Sequence, residues 1–201
     1  NQTLSACTFI DQTALNAAYQ AWLASAGFAG GCAPVLTNNA PAAPTLCAGG
    51  SVTVTFTATD KCETKTATAT FTVTPPPAVT VTAPANQTVL ACSFADQTAL
   101  NAAYQTWLSG ASTAGGCAPV LTNNAPAAPA LCTGGSVTVT FTATDKCETK
   151  IATATFTVTP PPVVTVTAPA NQTVLACSFA DQTALNAAYQ TWLSGASDAG
   201  G

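Results

Sequence analysis

The stretch SVTVTFTATDKCETKIATATFTVT, residues 136–159, decides the fold. Val137, Val139, Phe141 and Ala143 alternate with Thr138, Thr140, Thr142 and Thr144; after the turn at 145–150, Ala152, Ala154, Phe156 and Val158 alternate with threonines again. Successive strand side chains point to opposite faces, so a period of two marks a pair of half-buried antiparallel strands. Apolar residues face a core and threonines face water.

Upstream the pattern changes. Residues 78–82 alternate as a strand, and 86–92 form a second short extended piece. Asp96 is placed to cap a helix over 97–109, whose Leu100, Ala103, Tyr104, Trp107 and Leu108 form one apolar stripe at i, i+3, i+4, i+7 and i+8. Gly110 is placed to end it. Trp22, Trp107 and Trp192 recur in this helix and are expected to anchor it on a sheet. Gly115-Gly116-Cys117 breaks the chain, 119–123 reads as a strand, and 124–129 as a Pro-rich loop. The prolines at 160–162 form a short, stiff spacer.

This unit recurs at a fixed step, with Asn1, Asn86 and Asn171 opening successive copies. Residues 1–85 and 86–170 differ at 13 positions, and 171–201 match 86–116 except for Asp198 in place of Thr113. A fixed period of this kind signals an array, in which length and surface matter more than chemistry. The folding unit is offset from the numbering: 76–160 make a complete repeat, 1–75 lack their first strand, and 161–201 supply the opening of a third repeat. The absence of Met and the break inside the third repeat lead us to expect a segment of a longer chain.

Only 6% of residues are charged, against about 25% in an ordinary soluble domain. The net charge of −4 argues against nucleic acid, which needs a basic face. No run of 18 apolar residues marks a membrane-spanning helix. Without His, no histidine-based catalytic triad forms in these residues, and no P-loop-type phosphate-binding sequence is present. No enzymatic activity, cofactor or metal is expected. The turn residues Asp145, Lys146, Glu148 and Lys150 read as a solvated turn, with too few oxygens for a calcium site. Asn1, Asn86 and Asn171 each open an N-x-T sequon, a candidate glycosylation site.

Nine cysteines at fixed places point to disulfides and an oxidising compartment. Zinc sites want closely spaced ligand pairs, whereas Cys7, Cys32, Cys47 and Cys62 are spread widely along their repeat.

The segment GSVTVTFTATD at 50–60, followed by TATFTVT at 68–74, resembles the HYR (hyalin repeat) family. The whole repeat, with its helix and its GGCAPVLTNNAPAAP segment, is similar to HYR-like repeats of large bacterial cell-surface adhesins of the gliding-motility type. One departure is that Ala83 and Ala154 stand where such repeats often carry cysteines. The resemblance implies a mainly β fold of tandem immunoglobulin-like β-sandwich repeats, each with one inserted short α-helix. It also implies extracellular, cell-surface display.

In that sandwich, 119–123 antiparallel to 136–144 brings Cys117 near Cys147, and 86–91 parallel to the last strand brings Cys92 near Cys132. The expected bridges are therefore Cys7–Cys47, Cys32–Cys62, Cys92–Cys132 and Cys117–Cys147, leaving Cys177 unpaired in these residues. Sequential pairing, Cys92–Cys117 with Cys132–Cys147, is the rival. The expected function is the structural repeat region of an extracellular filament or adhesin stalk, stiffened by disulfides and Pro linkers. Its partners would be neighbouring repeats or copies of itself in a fibre. The alternative is an adhesive module binding surface glycans through its Thr faces or the loop after the helix. Ice binding, which regular Thr-x-Thr rows bring to mind, is the weakest reading, because outward β-formers explain the threonines.

Overall fold

A computed structural model describes residues 1–200. In the first repeat, β1 (Gln2–Ser5) leads through a 3₁₀ turn, Ala6–Thr8, into α1 (Gln12–Ala24). Then come β2 (Val35–Asn38), β3 (Gly50–Thr59) and β4 (Thr64–Thr74). Next follow β5 (Thr80–Thr82), β6 (Gln87–Leu90), α2 (Gln97–Leu108), β7 (Ser112–Ala114), β8 (Val120–Asn123), β9 (Gly135–Thr144) and β10 (Thr149–Thr159). The last described elements are β11 (Thr165–Thr167), α3 (Gln182–Leu193) and β12 (Ser197–Ala199).

Two four-stranded sheets repeat one topology, β1-β4-β3-β2 and β6-β10-β9-β8. In each the long hairpin is central, the short strand from the repeat's opening joins it in parallel, and the strand after the helix joins it antiparallel. The two pairings expected from the sequence for 86–91 and 119–123 are therefore present. Two small antiparallel pairs, β5-β7 and β11-β12, complete the described strands.

The helices form where the stripe and caps dictate. Asp11 Oδ1 accepts from Ala14 N and Asp96 Oδ1 from Ala99 N, both at 2.8 Å, satisfying an otherwise orphaned first-turn donor. Burial follows the stripe: Leu15 and Tyr19 of α1 are buried with Val54, Phe71 and Val73 of the sheet, while Trp22 packs on Phe71 at 5.3 Å between ring centroids. The Tyr19 hydroxyl donates to the Pro41 carbonyl at 3.1 Å. On the sheet's other face, Ser51 meets Thr72 and Thr53 meets Thr70 hydroxyl to hydroxyl. A helix therefore packs against the inner face of β3 and β4 in a mainly β fold. The physical reason is that large apolar side chains sit on α1, whereas the sheet's outward rows are threonine.

The chain divides into two compact units. One takes Asn1–Ala85, Trp107–Ala125 and Thr138–Ala154; the other takes Asn86–Thr106, Pro126–Val137 and the described residues from Thr155 onward. In the first, Trp107 packs edge-on against Phe141 and its indole N–H donates to the Ala85 carbonyl at 2.8 Å. In the second, Tyr104 packs on Phe156, and Gln97 bonds both Pro129 O and Leu131 N.

Among the described residues two bridges are made, Cys7–Cys117 and Cys47–Cys147; Cys32, Cys62, Cys92, Cys132 and Cys177 are free and exposed. This corrects the expected Cys7–Cys47, Cys32–Cys62, Cys92–Cys132 and Cys117–Cys147 pairs, and the sequential rival as well. The strand register does bring the expected cysteines to one end of their sheet: Cys7 follows Ser5, paired with Thr74, and Cys47 precedes Gly50, paired with Val73. Their sulfurs, however, join the next repeat instead of each other.

Candidate functional site

The joint between the first and second repeats, which lies wholly inside the first compact unit, concentrates the chemistry of this chain. On the first repeat's side, Cys7 sits in the 3₁₀ turn that ends β1. Ser5 Oγ accepts from Cys7 N at 3.2 Å, and Phe9 N closes the turn on Ala6 O at 3.2 Å. Cys47 sits in the tight turn before β3, where Gly49 N donates to Thr45 O at 2.8 Å. Gln12, the first residue of α1, grips that turn through Leu46 N at 2.7 Å and Pro44 O at 3.2 Å. The helix start is therefore tied directly to the Cys47 turn.

On the second repeat's side, one carboxylate organises both cysteines. Asp145 Oδ2 accepts from Cys117 N at 2.8 Å, while Oδ1 accepts from Cys147 N at 2.8 Å and Glu148 N at 2.9 Å. These N–H bonds, led by that of Cys117 and helped by the Lys146 charge, hold the Asp145 carboxyl below its ordinary value despite its partial desolvation. The N–H groups of Cys147 and Glu148 form a local turn about Asp145. Cys117 comes from 28 residues away.

Cys117 reaches that carboxylate because Gly115 and Gly116 take φ of +76° and +60°. A Cβ on Gly115 would lie 1.9 Å from the Ala78 carbonyl oxygen, and one on Gly116 would lie 2.7 Å from Asp145 Oδ2. Only glycine permits both this backbone and this approach.

Lys146 crosses the joint. Its ammonium donates to the Ala6 carbonyl at 3.1 Å and to that of Phe9, capping the turn that carries Cys7. Glu148 accepts from Val79 N and pairs with Lys150 at 3.2 Å, which hold its carboxyl low. The charged turn at 145–150 is open to solvent, as expected, and most of its charges are also engaged by backbone groups brought from elsewhere in the chain. No three His, Cys, Asp or Glu gather to hold a metal ion among the described residues.

No protein-family model and no curated protein matches this chain. The joint must be read from its own geometry.

Other sequence-predicted residues fall into place around it. Asn1 and Asn86, the first two sequon asparagines, use Oδ1 to accept from Thr70 N and Thr155 N at 2.9 Å, pinning the parallel edge strands. Asn171 lies in an exposed stretch. The Trp192 indole N–H donates to Ala170 O at 2.7 Å, repeating the Trp107 contact. No described helix is long and apolar enough to cross a membrane. Asp145 and Gln12 were missed as functional residues. An Asp two residues before a Cys signals the local turn, but nothing in the spacing announces its second client.

Proposed function

We propose that the chain is the structural repeat region of an extracellular filament or cell-surface adhesin stalk, built from HYR-like immunoglobulin-related repeats. The observation that carries this reading is the pair of disulfides joining one repeat to the next. A bond across a joint has no use in an independent binding module, and it makes a stalk continuous. The expected role of disulfides as fasteners inside each repeat gives way to fasteners between repeats.

Other features support the same reading. Prolines 75–77 and 160–162 separate the repeats with stiff spacers. Disulfides persist outside the reducing cytoplasm, which fits display at the cell surface. The Thr rows give a neutral face that holds its properties across salt and pH. From the strand length, each repeat would advance a fibre by about 30 Å, and its Pro spacer would add about 9 Å.

Negative-stain imaging of oxidised protein tests the proposal. Thin fibres or rods with a regular axial repeat are expected. Round particles of uniform diameter from a multi-repeat chain, together with selective retention on a glycan array, would overturn it in favour of a binding module.

A further inference from the structure

We propose that the same two bridges recur at every joint of the array, so that β3-type strands and disulfides form one continuous covalent path that caps how far the chain stretches. The docking partner of each exposed cysteine pair is then another copy of the same repeat. The stalk function gives this device its purpose, but the pairing rests on its own observations.

The first is register. Cys117 is the equivalent of Cys32 one period later, and Cys147 is the equivalent of Cys62. Both bridges therefore join a repeat to its successor by one rule: Cys7 type to Cys32 type, and Cys47 type to Cys62 type. Under that rule Cys32 and Cys62 need a preceding repeat, and Cys92, Cys132 and Cys177 need a partner beyond residue 201. These five are the free cysteines, all exposed.

The second is preorganisation. Asp60 holds the free pair as Asp145 holds the bridged pair: Oδ2 accepts from Cys32 N at 2.9 Å, and Oδ1 from Cys62 N at 2.8 Å and Glu63 N at 2.9 Å. The half-joint is formed before anything binds it. Lys61 stands where Lys146 stands, without the carbonyls that Lys146 finds across its joint. Each new bridge forms by thiol–disulfide exchange. Two thiols release two protons and two electrons, which reduce a protein or small-molecule disulfide to its two thiols.

The third is the path of force. Cys47 precedes β3 and Cys62 follows it. Tension entering at a Cys62-type sulfur leaves through the Cys47-type sulfur of the same repeat, along a strand that is already extended. The stretch from Cys47 to Cys62 spans at most about 50 Å, against about 300 Å for a whole repeat pulled straight. An oxidised array cannot lengthen far even when its repeats unfold.

The test is force extension of the 201-residue chain held by its two ends. Cys7–Cys117 removes 110 residues from the stretched length, so adding a reductant should lengthen the fully stretched chain by 110 residues. Cys7→Ser should leave a gain of 100 residues, through Cys47–Cys147, and Cys7→Ser with Cys47→Ser should abolish it. Repeating residues 86–170 once more should raise the wild-type gain by a further 100 residues, because the new joint adds its own Cys47-type bridge. A wild-type gain below the 100 residues spanned by Cys47–Cys147, as loops closed within repeats would give, overturns the proposal. So does a gain that fails to grow in the longer chain. Either failure leaves the fibre images untouched, and the absence of fibres with the further gain intact would sink the stalk reading alone.

Discussion

Replacing the bridged cysteines one and two at a time measures how much of the stability resides in the joint. The Cys7–Cys117 bridge closes 110 residues, worth about 5 kcal/mol by the chain-entropy relation. With it made, the shortest ring closed by Cys47–Cys147 runs from Cys47 back to Cys7, across the first bridge, and on from Cys117 to Cys147. That smaller ring is worth about 4 kcal/mol on the same relation. Together the two approach the stability of a typical domain, about 5–15 kcal/mol. Each single Cys→Ser variant should therefore lose about 4–5 kcal/mol in denaturant unfolding without reductant. The pattern of doubles is more telling than the size. Cys7→Ser with Cys117→Ser should cost no more than either alone, because both remove one bond, whereas Cys7→Ser with Cys47→Ser should cost about twice as much. If instead Cys7→Ser and Cys47→Ser prove non-additive while Cys7→Ser and Cys117→Ser add, the bridges run within repeats and the reasoning fails.

Asp145→Asn should flatten the acid limb of stability: a carboxyl held low stabilises the fold fully above its unfolded pKa, and that contribution is lost as pH falls through the lower folded value. Wild-type unfolding midpoints should thus drop more steeply than the variant's as pH falls below about 4; equal slopes would contradict the role given to Asp145. Gly115→Ala should destabilise by about 2 kcal/mol or more, since its Cβ meets the Ala78 carbonyl at a positive φ, whereas Gly30→Ala has open space around its Cβ and should cost only about 1 kcal/mol. Equal costs in thermal melts would show that the close approach of the Ala78 backbone does not hold. Leu15→Ala should lose about 2–5 kcal/mol, because Leu15 is fully buried beneath the helix; a loss below about 1 kcal/mol would mean that α1 does not cover the sheet in solution.

The hairpin, the helix with its Asp96 cap and the glycine breaks were legible from residue order, because each is set by side-chain periodicity or by a bond within a few residues; the parallel edge strand, pinned by a bond across 69 residues, was expected only within the sandwich that the resemblance implies. The ends at which the cysteines gather were legible too, through the strand register. Which sulfur each one meets was not. In an array of near-identical repeats, a neighbour within the repeat and its equivalent in the next repeat carry the same sequence, so spacing cannot separate them. That choice falls to the tertiary structure. Gly115 and Gly116 swing Cys117 onto Asp145, Lys146 reaches the Ala6 carbonyl, and the bridges close across the joint. The sequence by itself set what each repeat folds into; the three-dimensional packing decided that the repeats are bonded to one another, because only folding brings groups 100 residues apart within reach of a covalent bond.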